Sequence, residues 1–147
     1  MMIAQVKAGD FHTLALDLSK TRLFGCGKCD SGQLGHTDKD VGKEASKRFV
    51  TKLQPVPFPE EDLEIEQIAC GENHNLAIVK PSQGKREVYT WGFGDPSGAL
   101  GHDKDVNEWR PKKLSLPKKH GQEVEGVWRG VSGGAQHSAF LFSPTIN

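Results

Sequence analysis

A chain of 147 residues suits one domain, and 19 basic against 19 acidic side chains leave it with no net charge. That balance excludes the strongly basic surface with which a protein coats nucleic acid, and no apolar run approaches the roughly 20 residues of a membrane-spanning helix. Seventeen glycines, about 12% where about 7% is usual, point to many tight turns and therefore to short strands.

The first patterned segment is Val6-Lys7-Ala8-Gly9-Asp10-Phe11-His12-Thr13-Leu14-Ala15-Leu16, a glycine and a histidine ahead of a short apolar run. Next comes Leu23-Phe24-Gly25-Cys26-Gly27, leading to Gly32-Gln33-Leu34-Gly35-His36 and then Asp38-Lys39-Asp40-Val41. Pro55, Pro57 and Pro59 break any helix there and predict a rigid connector. The acidic run from Glu60 to Glu66 reads as a solvated loop.

The first segment then returns as Ile68-Ala69-Cys70-Gly71-Glu72-Asn73-His74-Asn75-Leu76-Ala77-Ile78. The second returns as Tyr89-Thr90-Trp91-Gly92-Phe93-Gly94, leading to Gly98-Ala99-Leu100-Gly101-His102 and Asp103-Lys104-Asp105-Val106. After a basic stretch (Arg110, Lys112, Lys113, Lys118, Lys119) the first segment appears once more, as Val131-Ser132-Gly133-Gly134-Ala135-Gln136-His137-Ser138-Ala139-Phe140-Leu141. His12, His74 and His137 stand 62 and 63 residues apart, and so do Gly9, Gly71 and Gly134. A motif reused at constant spacing is the mark of a repeat architecture. Its apolar runs, bounded by turn formers, and the β-branched and aromatic Val88-Tyr89-Thr90-Trp91 predict strands, with no sustained helical period anywhere. The expected fold class is all-β, with four short strands per repeat forming a propeller blade. The repeats are expected over about 4–65 and 66–128, with a partial third over 129–147.

These motifs resemble the RCC1 repeat: a glycine, two residues, His-Ser/Thr/Asn and an apolar strand, then Trp-Gly-x-Gly and Gly-Gln/Ala-Leu-Gly. The resemblance implies a partial β-propeller of RCC1 type with about two and a half four-stranded blades, whose repeat glycines (Gly9, Gly71, Gly134, Gly25, Gly27, Gly32, Gly35, Gly92, Gly94, Gly98, Gly101) and Trp91 are structural. It departs from the pattern at Cys26, where tryptophan is usual, and in the gaps from Gly27 to Gly32 and from Gly94 to Gly98. A ring of seven blades needs the remaining blades or another chain to close it, so an exposed blade face is expected.

The family implies a protein-interaction module, with nucleotide exchange on a small GTPase of the Ran type as its leading specific activity. A non-catalytic scaffold or substrate-recognition propeller is the alternative. Chromatin is implied as a partner only through segments outside these residues, and no cofactor, metal or membrane is implied. His12, His74 and His137 either hold their own turns or line the face where a GTPase docks; His12 and His137 are the foremost partner-binding candidates, followed by His74 and by Arg110, Lys112 and Lys113 in the basic stretch. Cys26 and Cys29 have C-x-x-C spacing but lack the second half of a zinc set, leaving a zinc or thiol-redox role as a remote alternative. Three cysteines, with no leader-like segment ahead of them, suggest free thiols in the nucleus or cytoplasm.

Overall fold

The computed structural model of the chain describes residues 1–36, 49–94 and 96–145; the stretch 38–41, expected to echo 103–106, lies outside the described residues. β1 (Ile3–Ala8), β2 (His12–Asp17), β3 (Leu23–Lys28) and β4 (Phe49–Pro55) form an antiparallel sheet in chain order. β5 (Leu63–Cys70), β6 (His74–Pro81), β7 (Glu87–Gly92) and β8 (Glu108–Lys113) repeat it. A short hairpin of β9 (Lys118–Lys119) and β10 (Gln122–Glu123) follows, and then a two-stranded half-blade of β11 (Gly126–Gly133) and β12 (Ser138–Pro144). No helix occurs among the described residues. The fold is all-β, a partial propeller of two four-stranded blades and the start of a third.

The blades are copies in detail. In each, the pairing of the first two strands slips by one residue at the same place: between Ile3 and Gln5, Ile65 and Gln67, and Trp128 and Gly130. Such a bulge bends a strand and increases its twist. β5 touches both β1 and β11, so the first strands converge on a common axis.

Because successive side chains of a strand point to opposite faces, each blade is apolar on both. On β6, Leu76 and Ile78 pack toward β11 and β12 with Trp128 and Val131, while Ala77 and Val79 pack toward the first blade with Leu14, Leu16 and Leu23. Trp91 and Tyr89 join the first junction from β7, where Phe58 meets their rings edge-on at 5.8 and 5.5 Å. The proline-punctuated connector therefore contributes Val56 and Phe58 to the seam between blades. Each fully buried large side chain contributes about 1.5–3 kcal/mol, so the two seams hold most of the core, beside a small cluster of Cys29, Leu34 and Val50.

Strand pairing corrects the alignment of the second motif. His12 pairs with Gly27 as His74 pairs with Gly92, so Gly27 corresponds to Gly92 rather than to Gly94. Both have φ near +105°, and a Cβ on either meets the backbone oxygen of Phe11 or Asn73 at 2.3 or 2.6 Å. Only glycine fits there. It follows that Cys26 occupies the place of Trp91 and Cys29 that of Gly94, so the longer gaps counted from Gly27 and Gly94 did not start from equivalent residues.

Candidate functional site: the turn row and the seams beneath it

The β1–β2, β5–β6 and β11–β12 turns lie at one end of the blades and are tied together through the backbone. Asp10 N–H donates to the Glu72 carbonyl at 3.0 Å, and Glu72 N–H donates to the Ala135 carbonyl at 2.9 Å. The three residues are equivalent, so the same bond is used twice. Close approach of the turns needs the repeat glycine: a Cβ on Gly71 would meet the His74 ring at 2.0 Å and the Gly134 carbonyl oxygen at 2.4 Å.

Below the row, each histidine reaches across a seam. His12 Nε2 lies 2.7 Å from Asn75 Oδ1, and Asn75 Nδ2 donates to the Gln33 carbonyl at 2.6 Å. At the second seam His74 Nε2 lies 3.0 Å from Ser138 Oγ, which donates to the Ala99 carbonyl at 2.7 Å. Gln33 and Ala99 are equivalent, as are Asn75 and Ser138. Each bracket therefore runs from the histidine of one blade, through the residue after the histidine of the next, back to the Gly-Gln/Ala-Leu-Gly turn of the first.

The chemistry fixes the proton. Asn75 uses its amide nitrogen on Gln33, so its oxygen accepts and His12 donates from Nε2; Nδ1 of His12 is buried without a partner, as suits an unprotonated nitrogen. Ser138 likewise spends its proton on Ala99 and accepts from His74. Burial favours the uncharged rings: it holds His12 below its ordinary value of 6.5 and pushes His74 down to about 4. Both imidazoles are neutral braces at physiological pH. Trp91 adds a further tie across the first seam, its Nε1–H donating to the same Gln33 carbonyl at 3.2 Å.

The sequence-derived candidates are thus distributed. His12 and His74 are only 2% and 1% exposed, inside the seams, whereas His137 is exposed on the half-blade. Arg110, Lys112 and Lys113 are exposed on β8, the outermost strand of its sheet. Lys112 pairs there with Glu108 and Lys113 with Glu87, and exposed pairs of this kind contribute about 0–1 kcal/mol. Cys26, Cys29 and Cys70 form no disulfide, and among the described residues no group of three or more His, Cys, Asp or Glu is placed to hold a metal ion.

Sequence reasoning missed two features. The bracket residues Asn75, Ser138 and Gln33 had a signal, since a polar residue follows every repeat histidine. The other is the exposed apolar content of the turn end: Phe11 is 61% and Phe49 49% exposed, with Lys28 Nζ 5.8 Å from the Phe11 ring centroid. Lys28 pairs with Phe49 and donates its backbone N–H to Phe11, so the three form one patch.

Comparison with known proteins agrees with this arrangement. The sequence model described as "Regulator of chromosome condensation (RCC1) repeat" matches residues 21–78 and 87–141, each match straddling two blades. The human "Probable E3 ubiquitin-protein ligase HERC3" is 35% identical over 112 residues, 76% of this chain and 9% of that protein. The "Guanine nucleotide exchange factor SRM1" of Saccharomyces cerevisiae is 31% identical over 144 residues, 95% of this chain and 26% of that protein. The crystal structure of Prp20p from Saccharomyces cerevisiae, described with its binding to Gsp1p and histones, superposes with a TM-score of 0.74 at 20% identity, covering 99% of this chain and 32% of that one. This chain spans about a tenth to a third of the proteins it matches. With both repeats matched over most of its length, the chain belongs to the RCC1 repeat family.

Proposed function

We propose that the chain is a protein-interaction module and that its leading partner is a small GTPase of the Ran type, met at the turn end of the blades. The observation that carries this reading is the patch of Phe11, Phe49 and Lys28, apolar surface left open at the end where the repeats present their turns. SRM1 is named as an exchange factor, and Prp20p is described as binding Gsp1p, which supports a GTPase as partner. In this reading the exposed His137 and the tips Phe11, Asn73 and Gln136 touch the partner, while His12 and His74 position those tips through the seams. The module does no covalent chemistry. It speeds nucleotide release by binding the empty GTPase more tightly than the loaded one.

A second reading is favoured by HERC3, a probable ubiquitin ligase and a similarly close relative: a recognition propeller that captures a partner without affecting nucleotide. One experiment separates the two. Added to Ran loaded with a fluorescent GDP analogue, the chain is expected to accelerate release, and Phe11→Ala and Lys28→Ala to reduce that acceleration. Binding with unchanged release supports the recognition reading, and absence of binding overturns the GTPase assignment.

A further inference from the structure

A groove opens between the first two blades, at the far end of β2 from the turn row. Leu23, Pro55, Val56, Phe58, Leu63 and Pro81 form its apolar lining, and its volume is about 730 Å³, within the range of about 300–1,000 Å³ that suits a bound group. Its walls are preset. Ile65 N–H donates to the Lys20 carbonyl at 2.7 Å, Val56 N–H to the Leu23 carbonyl at 2.8 Å and Ser82 N–H to the Asp62 carbonyl at 3.0 Å. The rim is acidic, with Glu60, Glu61, Asp62 and Glu64 against Arg22 and Lys80. Arg22 is engaged by Asp17 at 3.1 Å, and Lys80 lies opposite Glu64 in the β5–β6 pairing. Glu60 accepts from the Tyr89 hydroxyl at 3.2 Å. Glu61 and Asp62, both exposed, have no ion pair among the described residues and leave the rim negative. The second seam carries the same groove with other charges. Leu114 and Leu116 take the places of Val56 and Phe58, and Leu114 N–H donates to the Val88 carbonyl as Val56 N–H does to Leu23. There the volume is about 660 Å³, and Lys85, Arg86 and Lys113 offset Glu87, Glu123 and Glu125. The shape belongs to the repeat; the negative rim distinguishes the first seam from the second.

We propose that the first groove docks a basic peptide segment of another protein. One aliphatic side chain of that segment seats against Phe58, Pro55 and Pro81, and lysine or arginine residues on either side of it meet Glu61 and Asp62. Burial on the apolar floor supplies affinity, and the rim sets the sign of the partner, since a like-charged segment would meet repulsion there. Walls already hydrogen-bonded between blades need no reordering on binding. The groove lies at the other end of the blades from Phe11, Lys28 and Phe49, so this docking is independent of the partner assigned to the turn end.

Fluorescence anisotropy of a labelled Lys-Arg-Leu-Arg-Lys peptide, titrated with the full 147-residue chain, tests this. Binding is expected, and a peptide with serine in place of its leucine should bind at least about tenfold more weakly, having lost the buried side chain. Glu61→Lys combined with Asp62→Asn should also weaken binding at least about tenfold, by setting a cation against the peptide's own. Asparagine suits that place because Asp62 has a φ of 55°, which asparagine tolerates. Glu123→Lys combined with Glu125→Lys, on the second groove, should change affinity less than about twofold in salt of about 0.15 M, which screens charges beyond about 8 Å. Unchanged circular dichroism verifies that the variants fold; if the first pair does not, Glu61→Gln repeats the test, with a weakening of about threefold expected. Absence of binding, equal binding of the serine peptide, no effect of the changes at Glu61 and Asp62, or an equal effect of those at Glu123 and Glu125 overturns the proposal.

Discussion

Replacing Asn75 with alanine severs the bracket at the first seam and should weaken the whole chain measurably. The substitution leaves the His12 Nε2–H buried without an acceptor, a cost of about 1–3 kcal/mol, and removes the bond to the Gln33 carbonyl, about 0.5–1.5 kcal/mol more. That carbonyl keeps Trp91 Nε1–H, so no further penalty falls on it. The expected loss is about 2–4 kcal/mol, a fall of about 1–2 M in the urea midpoint for a slope in the usual range. Ser138 makes the same bracket at the second seam, so Asn75→Ser should restore much of the loss. Urea unfolding followed by tryptophan fluorescence reads both variants. A loss below about 1 kcal/mol for alanine, or equal losses for alanine and serine, refutes the bracket as a source of stability.

Three further outcomes follow from the same geometry. The folded His74 binds its proton only near pH 4, while the unfolded chain binds it near 6.5; stability is therefore full above 6.5, declines as pH falls between those values, and loses no more from this ring below 4. The decline is no more than about 3 kcal/mol, and His74→Gln, which keeps a side-chain N–H but does not titrate, should flatten unfolding free energy against pH in that window. Gly71→Ala should cost more than about 2 kcal/mol in urea titration, since its Cβ displaces the His74 ring and presses on the Gly134 backbone. Trp91→Ala empties the centre of the first seam and should cost about 3–5 kcal/mol, with Trp91→Phe recovering the packing but not the bond to Gln33.

Much of the architecture could be read before any coordinates. The recurrence of His12, His74 and His137 sets the period of the repeat, but it reads as rings that hold their own turns, whereas His12 and His74 cross to the next blade and His137 is exposed on the half-blade. Leu14-Ala15-Leu16 and Leu76-Ala77-Ile78-Val79 read as strands buried on both faces, and they are. The second motif was harder to align. Glycines spaced by two allow two matches, and Cys26 in the tryptophan position removes the large residue that would have chosen between them. The β9–β10 hairpin had only one cue, His120-Gly121, whose φ values of 53° and 82° suit a two-residue turn, and strands of two residues carry no periodicity. The brackets were illegible for a different reason. Asn75 meets His12 across 63 residues, and Gln33 across 42 through a backbone carbonyl that any residue type supplies.

The central claim is that each seam is braced by a neutral histidine donating from Nε2 to the following blade. Nitrogen–proton correlation spectra of the imidazole rings at pH 7.5 test it directly. His12 and His74 should both appear as neutral Nε2–H tautomers with exchange-protected Nε2 protons. A charged ring at that pH, or a proton on Nδ1 in either, contradicts it.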